Sequence, residues 1–264
     1  MNPEKRKALM LSHFGKTNKD LEEDVKLIKE WLKTQPHLPE IPSDHIIASF
    51  ICMNKFSLER TKQGIDLYYT TRSTLPCIYQ FANPKTEFMK IAEESSYLLV
   101  FPKMVDDRYL VTFMKLKDCI PNYFDPYGWA AQGINIIDVI LREDDNLVLG
   151  LIIVVDNQNF KMEHVLRLTP TVVRDTLVII EIRIHKSTDT LLDYIPAEVL
   201  PSDYGGKEKS VEELQKDWKA KLAEYQEVFD QRDGLKVNES LRPTPLENAE
   251  AYGVQGTFKN LSVD

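Results

Sequence analysis

Apolar positions recur at helical intervals through the first third of the chain. Leu21, Val25, Ile28 and Leu32 are spaced four, three and four apart, which sets them on one face of a helix. Pro36 and the stretch Leu38-Pro-Glu-Ile-Pro42 end it. Ser43 is placed to cap a second helix carrying Ile46, Ile47, Phe50 and Ile51. Ser57 is placed to cap a third, with Ile65, Tyr68 and Tyr69 on its apolar side, and Thr74-Leu75-Pro76 closes it. The pattern predicts a three-helix unit over 19–75, preceded by a flexible terminus over 1–18.

The middle changes period. Tyr109 to Lys115 reads as a strand after a polar turn at Asp106-Asp107. Residues 127–143 are mostly apolar without alternation and predict a buried helix. Leu149 to Asp156 is a continuous β-branched run, the pattern of a strand covered on both faces. Thr169-Pro170 opens a further helix, and Ile182 to His185 reads as a last strand. Strand, helix, strand and helix in this order predict an α/β sheet.

The last third is helical again. Ser210-Val-Glu-Glu213 has the spacing of a capping box. Val211, Leu214, Trp218, Leu222, Tyr225 and Phe229 follow as a core-facing stripe. The α/β region is expected over 84–233, and the polar stretch 234–264, with Pro243 and Pro245, as a loosely held tail.

Composition narrows the function classes. The 264 residues are 43% hydrophobic and 28% charged, a globular balance that excludes wholesale disorder. A chain of this size buries roughly 73% of its extended surface, enough for a sizeable core. A net charge of −8 argues against a general phosphate-backbone binder, so no nucleic-acid partner is expected. Cys52, Cys77 and Cys119 are odd in number and contain no CxxC pair, the usage of reduced cytosolic thiols. No signal-like or bilayer-spanning apolar run is present, Leu147 to Val155 being too short. The sequons at Asn238 and Asn260 therefore read as chance.

Catalytic and metal motifs are missing. There is no phosphate loop, GxGxxG, HExxH or GxSxG. His164 with Glu163 and Asp156 could form a hydrolytic group, but a strand-end carboxylate and a helix-start imidazole are the plainer account. Glu143-Asp144-Asp145 lacks the spacing of a calcium loop. The chain therefore reads as a binding protein, not an enzyme, with no metal or cofactor. Residues 147–180 hold an apolar surplus that forms core or lines a cavity.

Several phrases resemble the CRAL-TRIO lipid-binding family, in its alpha-tocopherol transfer protein-like branch. Leu200-Pro-Ser-Asp-Tyr-Gly-Gly206 resembles its closing LPxEYGG signature, and Leu191 to Val199 the helix entering it. Leu149 to Asp156 resembles the central strand, His164 to Pro170 the helix that follows, Tyr109 to Asp118 the first sheet strand and Pro42 to Tyr69 the N-terminal helical module. The resemblance covers about residues 20–235. It implies a helical module followed by a sheet whose one face lines an apolar pocket for a tocopherol-, retinoid- or phospholipid-like ligand. The lining residues would be Ile137, Val154, Val155, Phe160, Leu166, Leu168, Thr176, Ile179 and Ile180. It further implies phosphatidylinositol bisphosphate binding through Arg183, Lys186 and Lys55, although the family's Arg-Ala-Arg reads Cys52-Met53-Asn54 here.

One departure stands out. Leu177 to Ile180 runs almost directly into Ile182 to His185, where the family has a further strand and a gate helix. The sheet is thus expected to be shortened by a deletion near residue 181. Two principal expectations follow. The first is a monomeric cytoplasmic carrier of a hydrophobic small molecule or lipid, in transient peripheral contact with membranes. The second is a non-transferring interaction or regulatory module, or an impaired splice form, with the same fold.

Overall fold

The computed structural model describes residues 3–117, 124–143, 147–170, 191–192 and 194–243. Four helices come first: α1 (Pro3–His13), α2 (Asn18–Lys33), α3 (Asp44–Met53) and α4 (Leu58–Thr74). The short α5 (Pro76–Tyr79) and α6 (Glu87–Ser95) lead into β1 (Ser96–Val100) and β2 (Tyr109–Leu116). Then come α7 (Pro126–Ile140), β3 (Gly150–Asp156), the single turn α8 (Met162–Val165), α9 (Val211–Glu224) and α10 (Gln226–Gln231).

Helix starts are written into the local sequence. Thr17 and Asp20 form a reciprocal box: the Asp20 N–H donates to Thr17 Oγ1 at 3.2 Å and the Thr17 N–H to Asp20 Oδ2 at 2.7 Å. Ser43 and Ser57 cap α3 and α4, accepting from the Ile46 and Arg60 N–H groups. The expected face of α2 is buried at Leu21, Val25, Ile28 and Leu32. It packs with Ile47, Ile51 and Ile65 in one apolar cluster. Residues 1–18, expected as a flexible terminus, hold α1, and Met10 and Leu11 are buried in that same cluster.

The sheet order is β1-β2-β3. β1 runs antiparallel to β2, with Ser96 opposite Leu116 and Val100 opposite Thr112. β3 runs parallel to β2, with Tyr109 opposite Gly150 and Lys115 opposite Asp156. A parallel neighbour needs a crossover, and α7 supplies it. The fold is therefore mixed α/β, as expected at that level. The finer expectation for β3 is corrected. Its residues are half-buried, Val155 is 41% exposed, and among the described residues it pairs only with β2. A β-branched run favours extended backbone but does not set how many layers cover it.

A second apolar cluster joins the sheet to the C-terminal helices. Leu99, Val111, Phe113, Ile136 and Val139 pack with Leu214, Trp218, Leu222 and Phe229. The stripe expected as one helix is broken at Tyr225, whose hydroxyl donates to Glu143 Oε1 at 2.5 Å. Among the described residues, no helix is long and apolar enough to cross a membrane. The expected strand Ile182–His185, the shortening near residue 181 and Cys119 lie outside the described residues.

Candidate functional site

The helical unit is joined to the sheet by a buried charge centre. Asp138 on α7 is 1% exposed and accepts from three directions. Arg72 Nη2 of α4 lies 3.3 Å from its Oδ1, Arg232 Nη1 3.1 Å from its Oδ2, and the Tyr68 hydroxyl donates to Oδ1 at 2.5 Å. Arg142 Nη1 donates to the Asp138 carbonyl at 3.0 Å and to the Tyr68 hydroxyl at 3.2 Å. Arg232 also donates to Asn135 Oδ1 at 2.6 Å. Arg142 Nη1 also lies 3.5 Å from Asp138 Oδ1, so three guanidinium groups share one carboxylate. Aromatic faces offset part of the surplus: Arg72 lies 3.9 Å from the Tyr68 ring centre and 5.4 Å from that of Tyr79. Burial works against the charge on Arg72, but Tyr68 and Asp138 outweigh it and hold the group charged. Burial also pushes the Tyr68 phenol up, and the neighbouring Asp138 charge adds to it.

On the outer side of α4, a segment from the far end of the chain is fastened to the unit. The Asn238 N–H donates to the His37 carbonyl at 2.9 Å. Arg242 Nη1 donates to Asp66 Oδ1 and Oδ2 at 2.9 and 2.7 Å, and Nη2 to Thr70 Oγ1 at 2.8 Å. Its Nε and Nη2 also reach Glu239, at 2.5 and 2.8 Å. His37 Nε2 lies 3.4 Å from Asp66 Oδ1, and Thr70 donates to the same oxygen at 2.8 Å. Residues 234–243, expected within a loose tail, are thus held by specific contacts, with Leu235 and Val237 packed on the helical cluster.

The corner that carried the family resemblance has a local explanation. A Cβ on Gly206 would sit 1.9 Å from the Leu200 carbonyl oxygen, so only glycine fits. The Tyr204 hydroxyl donates to Asp156, and Lys115 Nζ lies 2.8 Å from Asp156 Oδ2. Burial, then the bond to Asp156, pushes the Tyr204 phenol up. Asp156 is desolvated, which would raise its pKa, but the bonds from Lys115 and Tyr204 prevail and lower it. These contacts hold β2, the end of β3 and the turn before α9 together.

Of the residues singled out as a ligand site, those the structure describes stand in different surroundings. Ile137 packs on the N-terminal cluster and Val154 on the sheet cluster. Phe160 sits among Phe124, Trp129 and His164, its ring centre 5.5, 5.8 and 5.6 Å from theirs. Val155, Leu166 and Leu168 are 41%, 73% and 37% exposed. Lys55 is exposed in the turn between α3 and α4, where it and Phe56 have φ of 54° and 60°. Thr176, Ile179, Ile180, Arg183 and Lys186 lie outside the described residues. Two members of the hydrolytic trio are engaged with other groups. Asp156 is taken up by Lys115 and Tyr204, and His164 Nδ1 accepts from the Lys161 N–H at 2.9 Å. Glu143 is bound by Tyr225 and by Lys221 at 2.6 Å, while Asp144 and Asp145 lie outside the described residues. No group of three His, Cys, Asp or Glu among the described residues could hold a metal ion.

The Asp138 centre and the Asp66–Arg242 clamp were not legible beforehand. Their members are separated by up to 176 positions, and a lone arginine or aspartate carries no periodic signal.

A family model, that of the Pinta-like UBA domain, matches the chain over residues 17–89. No curated protein matches the sequence. The matched stretch runs from the Thr17 cap through α2, α3, α4 and α5 into α6. This finding corrects the assignment to the CRAL-TRIO family, because the model that matches is a ubiquitin-associated fold. It also corrects the expectations of lipid binding and transport, of phosphatidylinositol bisphosphate binding and of a hydrophobic small-molecule or lipid partner. The physical reason lies in what the motif residues do: Gly206 and Tyr204 are accounted for by a steric limit and by a contact between elements, neither of which requires a ligand.

Proposed function

We propose that the chain is a non-enzymatic interaction module whose helical unit, residues 17–89, docks a protein partner, ubiquitin being the first to test. The observation that carries this reading is the match of that stretch to a ubiquitin-associated fold. Its build supports it. Helices α2, α3 and α4 are individually capped and share one apolar cluster, onto which Leu141, Leu149 and Tyr109 of the sheet region also pack. The unit also shows large apolar side chains to solvent, with Leu27 57% and Ile41 45% exposed. The remainder of the chain holds the unit in place through Asp138 and Arg232.

The test is a titration of the isotope-labelled full chain with ubiquitin, followed by amide shifts. Saturable changes confined to residues 17–89 are expected. Unchanged amides up to about 1 mM ubiquitin, where binding would contribute only ~4 kcal/mol, would remove ubiquitin as the partner. A lipid retained at one per chain in native mass spectrometry of the purified protein would overturn the interaction reading itself.

A further inference from the structure

We propose that residues 235–242 are an intramolecular ligand of the helical unit, and that a protein segment of the same chemistry docks there only by displacing them. The inference rests on the reading of this unit as a protein-docking module and adds the face, the class of partner and the control.

The contact has the form of a bound peptide. The segment contains one short turn, Glu239–Leu241, and no longer helix or strand. Most of it faces water: Lys236, Asn238, Glu239, Ser240 and Leu241 are exposed, and Leu235 and Val237 are half-buried. Its hold comes from a few points. Leu235 and Val237 press on the apolar cluster, the Asn238 N–H meets the His37 carbonyl, and Arg242 fits the Asp66 carboxylate with both oxygens engaged. Arg242 Nη1 alone bridges the two Asp66 oxygens, Nη2 reaches Thr70, and the paired Nε and Nη2 contacts go to Glu239 of the segment itself. One planar group with its donors in a fixed fork thus ties the segment's turn to the unit, which a lysine cannot copy. The Arg242 side chain is 4% exposed although its neighbours are open, so the receiving face is shaped around it.

The receiving face is prepared on the unit's side. Thr70 donates to Asp66 and accepts from Arg242, orienting the carboxylate. His37 is buried against the same carboxylate, and its Nδ1 has no partner. All three belong to residues 17–89, whereas the segment that fills the face does not. The partner this face selects is a segment with two apolar residues two positions apart and an arginine five positions after the second, the spacing of Leu235, Val237 and Arg242.

Hydrogen exchange on the full chain tests the first half. In the unaltered protein the Asn238 amide is expected to exchange at least tenfold faster than amides in the middle of α4, such as Ile65 and Tyr69. Equal protection would make the segment part of the core and overturn the proposal. The second half uses a fluorescent peptide of residues 233–243 and the full-length Arg242→Ala chain. The peptide is expected to bind this variant at least tenfold more tightly than the unaltered chain, and to lose that gain when Asp66→Asn is added. No gain with Arg242→Ala, in a chain whose α4 amides remain protected, overturns it. If Arg242→Ala does not fold, Asn238→Pro, which removes the one backbone bond to His37, replaces it with the same expected gain. Neither measurement contains ubiquitin, so a chain that passes both and ignores ubiquitin loses only that partner.

Discussion

Gly206 and Cys52 show how narrowly single positions are constrained. A methyl group at Gly206 would collide with the Leu200 backbone, not with a side chain that could turn aside. Gly206→Ala is expected to cost about 3 kcal/mol or more, read as a fall in the urea midpoint. Tyr204→Phe should cost less, because it removes a hydroxyl at the same corner but leaves the ring packed 5.2 Å from Phe113. Cys52 is wholly enclosed in the helical unit, and burial pushes its thiol up to about 12. It should resist alkylation near neutral pH in the folded chain and react once urea opens the unit, as site-resolved mass spectrometry would show. Rapid alkylation of Cys52 without denaturant would contradict this packing.

Elements are specified by their ends as much as by their faces. The Thr17 box fixes the start of α2, and Thr17→Ala should lower stability by about 1 kcal/mol. Beyond α6, the Asp230 carboxylate on α10 ties that helix to the loop carrying Asn83 and Lys85. Lys85 first, then Asn83 and Gln226, hold its pKa at about 2, below the 3.8 of a free aspartate. The linked stability is therefore present above about pH 4 and lost as pH falls toward 2. The difference in melting temperature between the unaltered chain and Asp230→Asn should narrow over that interval and stay constant above it. This scale is also where the sequence spoke most clearly. α2, α3, α4, β2 and α9 were readable because each joins a period to a cap or a turn, as with Ser43, Ser57, Asp106 and Ser210. α1 was not, because Met10 and Leu11 are one adjacent pair and not a repeat. β1 was not, because Ser96 follows α6 with no glycine or proline between. The site was less legible than the elements. Ile137, Val154 and Phe160 share apolar character, but each packs in a different neighbourhood, and only tertiary placement separates them.

At the scale of the whole molecule, Asp138 is expected to couple the unfolding of the helical unit to that of the rest of the chain. It receives Arg72 from the helical unit and Arg232 from the C-terminal end, so its removal leaves buried cations on both sides without their carboxylate. Asp138→Ala is expected to cost ~3–5 kcal/mol. Variants keeping only Trp31, in the helical unit, or only Trp218, against the sheet, would follow the two parts separately. Coincident transitions are expected with Asp138 present and separate ones without it; coincidence in both would place the coupling elsewhere. The distance along the chain between Asp66 and Arg242, 176 residues, also has a meaning in time. A ribosome adding about 5–20 residues per second needs roughly 9–35 s to cross that interval. During each round of synthesis the nascent helical unit is therefore expected to present the Asp66 carboxylate without its arginine, and any segment able to pair with it first has that long to arrive.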